Sequence, residues 1–451
     1  MNPAWIPYAS RAVPRYTSYP TAADFTAATG EAEARRWAGD VAPGEPLSVY
    51  LHVPFCEALC WYCGCATSVP NGYRRVGDYA GRLKAEIALW ADALGPHGGI
   101  GHLHFGGGSP NALQSGDFAS LIETLRARFG IRPDAEIAVE LDPRTMHEGQ
   151  VDAFAAAGVT RASLGVQTLA PKVQAAVNRI QPPEMVARLV NDLRGAGVRA
   201  INMDLMYGLP HQTTADVVTA AQFAADMGAA RVSVFGYAHV PWFAKHQKAI
   251  DEAALPGLET RFEQAEAATE VLRAAGYVLI GLDHFARAGD PLAAAAREGR
   301  LRRNFQGYTD DPHDTLIGIG ATSISQFREG FVQNLKDRKA WGEAVAAGRL
   351  PVERGVAITD EDRLRARAIE QLMCQLNVDV ADVCREMNVP AGSLDGALVR
   401  ARALVPAGLC EVDGSRVSVP PAARHFLRTA AQCFDGRTQA LEGTARHAKA
   451  V

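Results

Sequence analysis

L-S-V-Y-L-H-V-P-F-C-E-A-L-C-W-Y-C-G-C, Leu47–Cys65, is the stretch whose reading decides the fold. Leu47, Val49 and Leu51 alternate with Ser48, Tyr50 and His52 before Val53, which predicts a strand. Pro54 ends it, and Cys56, Cys60 and Cys63 follow as C-x-x-x-C-x-x-C. A four-iron cubane normally takes four cysteine thiolates, so three in one short loop leave an iron without a protein ligand. Such an open metal position can hold a small molecule, as in catalytic zinc sites. The competing expectation is a structural zinc knot with Cys65 or His52 as fourth ligand. Zinc knots usually come as two cysteine pairs, and no second pair exists, because Cys374, Cys384, Cys410 and Cys433 stand alone. The cluster is the favoured reading.

Downstream of this loop, short apolar strands alternate with amphipathic helices. Strands are predicted at 47–53, 100–105, 136–141, 161–166, 200–206 and 231–235. Helices are predicted at 78–94, 117–129, 149–157, 183–197, 214–227 and 259–275, with a shorter helical stretch at 172–178. Six βα units in a row imply a parallel sheet with right-handed crossovers. The expected fold class is therefore α/β, a partial (β/α)6 barrel over 46–330, with a doubly wound sheet as runner-up. A loop-rich trailing segment is expected over 291–330.

Ahead of the barrel, residues 1–45 form an arm rich in Pro, Ala and Gly. In it R-Y-T-S-Y-P-T (Arg15–Thr21), beside Pro14, makes no regular element. It is either tied down on a core or a flap over a site. Residues 331–451 read as a smaller, mainly helical, winged-helix-like domain. Its helices are expected at 364–376, 380–387 and 392–405, followed by a hairpin turning at Asp413-Gly414 and a polar tail after Asp435.

The 451 residues are 48% apolar and 21% charged with a formal net charge of −4, ordinary values for a globular chain of two domains. A net acidic chain without a basic recognition helix is not expected to bind nucleic acid or an acidic membrane surface. Any polyanionic substrate must meet a local group of Arg or Lys. Eight cysteines, four of them within ten residues, do not form a secreted disulfide framework. With no apolar signal core and no run of membrane-spanning length, a cytoplasmic monomer is expected.

Short polar motifs fall where strands run into loops, the place where parallel barrels carry function. G-G-G-S-P (Gly106–Pro110) allows close backbone approach and exposes N–H groups to an anion. Glu140 and Asp142 end the third strand, where a carboxylate suits ribose hydroxyls. Gln167, Asp204 and the Y-G-L-P after it occupy equivalent places on later strands.

R-Y-T-S-Y-P-T, the cysteine loop, H-F-G-G-G-S-P, E-L-D-P-R, G-V-Q, V-N-R, D-L-M-Y-G-L-P, F-G-Y-A-H-V-P, D-H-F-A-R, N-F-Q-G-Y-T and G-x-G-A-T-S-I-S follow in order. The cysteine loop resembles the radical S-adenosylmethionine (SAM) superfamily, and the whole series resembles its oxygen-independent coproporphyrinogen III oxidases. That resemblance implies a [4Fe-4S] cluster on Cys56, Cys60 and Cys63, whose open iron holds SAM. It also implies a second SAM beside the first. The implied SAM contacts are Tyr50, Tyr62, Gly107, Gly108, Ser109, Glu140, Gln167, Arg179, Asp204, Ala238 and Ile324, with Tyr50 and Glu140 nearest the chemistry. The implied reaction turns two propionates of coproporphyrinogen III into vinyls, giving protoporphyrinogen IX for haem synthesis, with an unidentified electron donor and acceptor. Arg15, Arg287, Arg302 and Arg303 are candidates for the substrate carboxylates, because Arg pairs bidentately with them. A haem-binding chaperone of the same superfamily is the alternative. Such relatives resemble H-N-x-x-Y-W where this chain has R-N-F-Q-G-Y (Arg303–Tyr308), and they lack the tyrosine-rich arm.

Overall fold

The computed structural model describes residues 2–437, so most of the polar tail lies outside the described residues. Strand β1 (Leu47–Val53) is followed by helix α1 (Arg74–Ala93), which buries Val76, Tyr79, Ala80, Leu83, Ile87 and Trp90 at helical spacing. Next come β2 (Ile100–Gly107), α2 (Ser115–Arg128), β3 (Ile131–Leu141), α3 (Gln150–Ala157) and β4 (Arg161–Gln167). The series continues through α4 (Pro183–Gly195), β5 (Ala200–Tyr207), α5 (Thr214–Asp226), β6 (Arg231–Gly236) and α6 (Leu258–Ala274). The strands β1 to β6 pair in chain order and in parallel, as expected of the barrel.

The sheet does not stop at six strands. Beyond β6 it continues through antiparallel β7 (Tyr277–Ile280) and β8 (His284–Arg287), with β8 against β6. On the other side β9 (Leu316–Ile319) lies parallel to β1. Antiparallel β10 (Ile324–Phe327), β11 (Gly330–Asn334) and β12 (Val352–Ala357) complete twelve strands. The segment expected as loops over 291–330 thus contains strands, and the expected boundary at 330 cuts the β10–β11 hairpin. These strands are four to six residues long and three of the four carry a glycine, so a period barely registers. Gly318 is obligatory there, since a Cβ would sit 2.4 Å from the Ile324 carbonyl oxygen.

One carboxylate ties this extension to the barrel. Glu86 of α1 is fully buried and accepts from Gly320 N (2.8 Å), Asn334 Nδ2 (2.6 Å) and Trp341 Nε1 (2.9 Å). Trp341 sits on α7 (Arg338–Ala346).

Inside the barrel, side chains of alternate residues make layers. Ser48, His102 and Glu136 are in register at the floor, and Tyr50 and His104 one layer higher. The floor is ionic. Arg161 contacts Glu136 (3.0 Å) and Asp290 (3.6 Å), while Arg231 contacts Asp290 (2.8 Å) and Asp310 (2.9 Å).

The C-terminal module runs α8 (Asp360–Gln375), β13 (Asn377–Asp379), α9 (Val380–Glu386), α10 (Asp395–Arg402), β14 (Glu411–Asp413) and β15 (Arg416–Ser418). Its small sheet has the order β13-β15-β14. The arm is tied down: Val13, Tyr16 and Tyr19 are buried in the core of this module. The arm also carries a helix over Glu31–Gly39 that no sequence pattern announced, with Trp37 in the barrel core.

Candidate active site

Cys56, Cys60 and Cys63 leave the top of β1 on a loop whose sulfurs are approached by donors. Thr67 Oγ1 donates to Cys56 Sγ (3.2 Å), and Cys65 N–H donates to Cys63 Sγ (3.3 Å). Arg144 Nη2 and Arg179 Nη1 donate to Cys60 Sγ at 3.3 and 3.4 Å. Burial pushes the Cys56 thiol up to about 11. The neighbouring Cys65 thiol holds Cys63 down. The loop's backbone is braced from outside. Asn178 Nδ2 donates to Leu59 O (2.9 Å), Gln247 Nε2 to Tyr62 O (2.9 Å) and Arg338 Nη1 to Pro54 O (3.3 Å).

A zinc knot does not fit. Tetrahedral zinc with bonds near 2.3 Å needs sulfurs roughly 3.8 Å apart. Among the described residues, the one set of three or more such donors within 4.8 Å is His102, Asp311 and His313, none of them in the loop. His52 is engaged on both sides, by Tyr50 Oη (3.1 Å) and the Ala66 carbonyl (3.2 Å).

Glu140 reaches back along the rim. His104 Nε2 lies 2.9 Å from its Oε1, and Gly107 N–H donates to its Oε2 at 3.2 Å. Burial would raise its carboxyl, yet His104 and Gly107 together hold it below the usual range, so it stays ionised. The Tyr50 ring stacks on His104 with centroids 5.8 Å apart. Asp204 faces Ser163 Oγ at 3.2 Å. Burial and the charge of Glu140 raise its carboxyl to about 6. Gln167 has φ 64°, a left-handed residue at a bulge between β4 and β5.

Other expectations need correction. The glycine run does not offer free N–H groups: Gly107 donates to Glu140, Gly108 to Val53 O (2.9 Å) and Ser109 to Phe55 O (2.7 Å). Its glycines serve close approach instead, because a Cβ on Gly107 would lie 2.4 Å from the His52 ring. The Ser109 hydroxyl is turned into the core, donating to Asn111 Oδ1 at 2.5 Å. Asp142 is not open to a ribose; it is held by Arg144 (2.6 Å) and Arg179 (3.2 Å). Tyr62 packs beside Val173 and Val177, and the Ala238 carbonyl accepts from Gln247 (3.3 Å). Ile324 packs against Phe25 and Phe331, two strands from β1.

Of the arginine candidates, two are not brought to the rim. Arg287 lies at the opposite end of the sheet, capping α5 through Ala225 O (3.4 Å) and bonding Ala229 O (3.1 Å) before β6. Arg302 is held by Asp314 (2.7 Å) and Glu370 (3.7 Å). Arg303 and Arg15 do meet: Arg303 Nη2 donates to the Arg15 carbonyl (3.4 Å) and stacks on Tyr308 at 4.4 Å. Its Nε and Nη1 are buried without a hydrogen-bond partner. His104, Arg144 and Gln247 were missed. In H-L-H-F the alternation that buries Leu103 and Phe105 already turns His104 inward.

The Radical SAM superfamily description matches residues 50–224. An oxygen-independent coproporphyrinogen III oxidase of Bradyrhizobium diazoefficiens is 43% identical over 446 residues, covering 99% of each chain. The protein of the same name from Escherichia coli K12 is 37% identical, covering 94% of this chain and 92% of that one. The chain belongs to the oxygen-independent coproporphyrinogen III oxidases. The solved Escherichia coli coproporphyrinogen III oxidase (HemN), described as a radical SAM enzyme, superposes with a TM-score of 0.89 at 35% identity. The match covers 94% of this chain and all of that one.

A coproporphyrinogen III oxidase of this family carries a [4Fe-4S] cluster and SAM. The residues present fit both. Four free thiols share one loop, Cys56, Cys60 and Cys63 among them, N–H groups are aimed at sulfur, and a buried Arg179 Nε has no hydrogen-bond partner.

Proposed function

We propose that the rim around the cysteine loop performs the oxygen-independent decarboxylation of coproporphyrinogen III, converting two propionates to vinyls in haem synthesis. The observation that supports this most is the three-cysteine loop at the top of β1 facing an ionised Glu140, in a chain that matches the named oxidases end to end. When bound, the cluster and SAM supply the one-electron chemistry that removes a propionate β-hydrogen, which no side-chain base can do.

The chain's own groups position and shield. Cys56, Cys60 and Cys63 hold the cluster, and Arg144 and Arg179 donate to Cys60, balancing charge at the sulfur. Glu140 and Asp204 are suited to accept from SAM hydroxyls or its ammonium group. Gly107 and Gly108 let His52 and Phe55 pack closely behind the rim, and Tyr50, Tyr62, Gln167, Ala238 and Ile324 complete the walls of a site for two SAM molecules. Arg15 and Arg303 take substrate carboxylates. Arg428, whose Nη1 donates to the Val13 carbonyl at 3.4 Å, adds a third cation to that corner. The electron donor and acceptor come from outside the chain. We also read the enzyme as a cytoplasmic monomer. All eight cysteines are free, which fits a reducing compartment, and no helix among the described residues is long and apolar enough to cross a membrane.

Anaerobically reconstituted protein should form protoporphyrinogen IX from coproporphyrinogen III, and equilibrium dialysis should find two SAM equivalents. Cys60→Ser should lose iron, SAM cleavage and turnover together. Arg303→Ala should keep iron and SAM cleavage while raising KM at least about tenfold. Full turnover by Cys60→Ser would sink the assignment, and one SAM equivalent would remove the second site.

A further inference from the structure

Five residues before Gly107 on β2, roughly 16 Å down the strand, a second group of ligating side chains sits at the barrel floor. One donor atom from each of His102, Asp311 and His313 lies within 4.8 Å of the other two. Asp311 is 7% exposed, and His313 Nδ1 is 2.7 Å from its Oδ1. The Ser48 hydroxyl donates to the other carboxylate oxygen, fixing its orientation as outer partners do at metal sites. The rings of His102 and His313 meet edge to face at 5.4 Å. His313 closes on the backbone at Gly101, where a Cβ would lie 2.3 Å from its ring. A pocket of about 190 Å³, lined by Gly101, His102, Asp134 and His313 among others, opens beside the two imidazoles.

We propose that His102, Asp311 and His313 bind a divalent first-row transition metal of the zinc class, separate from the cluster. Two imidazoles and one carboxylate suit Zn(II), Fe(II), Ni(II) or Cu(II); Mg(II) and Ca(II) prefer all-oxygen sites. Three protein ligands leave a coordination position for water, and the pocket gives it room. The nearby cation Arg132 is paired with Asp134 at 3.1 Å. The metal joins the 310–314 loop to the second strand and holds the barrel floor closed beneath the reacting rim. It takes no part in the decarboxylation, and a metal at the bottom face of a barrel reads as stability.

The probe is cobalt(II) alone, added to cluster-loaded enzyme so that Cys56, Cys60 and Cys63 are already occupied. One equivalent should bind with d–d bands and without a thiolate-to-cobalt charge-transfer band, and it should raise Tm. His102→Gln and His313→Gln, checked for wild-type cluster absorbance and near-ultraviolet circular dichroism, should each weaken binding about a hundredfold or more and abolish the Tm rise. Bound cobalt should also protect His102 and His313 of the wild type from diethylpyrocarbonate, a readout that needs no variant to fold. Absence of binding, thiolate charge transfer, unchanged binding in both variants, or unprotected histidines would each show that the three side chains are only a hydrogen-bonded triad.

Discussion

Cys60 shows how far a single residue is legible before folding. Its spacing from Cys56 and Cys63 is what proposes the ligand set, because three thiolates must surround one cubane face and a short loop suffices. The two guanidiniums at its sulfur were hidden, since Arg144 is 84 and Arg179 119 positions away and neither motif mentions sulfur. Arg287 misled for the same reason: charge is visible in a sequence, but which end of a sheet a residue occupies is not. Asp204 carries a prediction at this scale. Its folded value, about 6, lies above the ordinary 3.8, so the fold favours its neutral form. That advantage is complete below pH 4 and disappears as pH rises through 6. Glu140, Ser163, Ser233 and His284 face it, and only Glu140 is an anion. Asp204→Asn should therefore match or fall below the wild type at pH 4 and exceed it by about 1–3 kcal/mol at pH 8 in denaturant titrations of cofactor-free protein. A stability difference that does not change with pH would show that Asp204 is already ionised at pH 4.

At the scale of elements, the six βα units were legible because the helices are long enough to show a 3.6 period and the core strands alternate apolar residues with others. The β9–β12 extension was not, for its strands offer two or three periods each and Gly318, Gly320 and Gly330 read as turns. What holds it is Glu86, an acid in the middle of an apolar helix face. Glu86→Ala leaves the buried donors of Gly320 and Trp341 unpaired, while Asn334 keeps Gly320 O and Ser323 Oγ as acceptors, and should cost about 3–5 kcal/mol. The guanidinium midpoint should fall with little change in slope. A loss under about 1 kcal/mol would mean that water enters and takes the place of the carboxylate.

For the whole molecule, the arm is the joint between the two cores. Trp5 contacts Phe262 of the barrel helix α6 and Phe426 of the C-terminal module, with ring centroids at 6.4 and 5.4 Å. Deleting residues 2–20 should thus bare the core of that module. Limited proteolysis should then cut within 360–437 while the barrel and its cluster persist, and Arg15→Ala should keep wild-type protection. Equal resistance of the deletion would show that the arm holds nothing together. Both alternatives posed by the sequence, a strap and a flap, meet at Arg15, which sits on a tied segment beside Arg303.

The bracing of the cysteine loop has a consequence for the order in which the protein is made. Leu59, Tyr62 and Pro54 are held by residues 119, 185 and 284 positions later in the chain. During synthesis the thiols therefore leave the ribosome long before these supports exist, and the last of the three braces is in place only once Arg338 has emerged. A nascent chain halted before that point therefore offers its oxidisable cysteines without the full bracing of the finished fold.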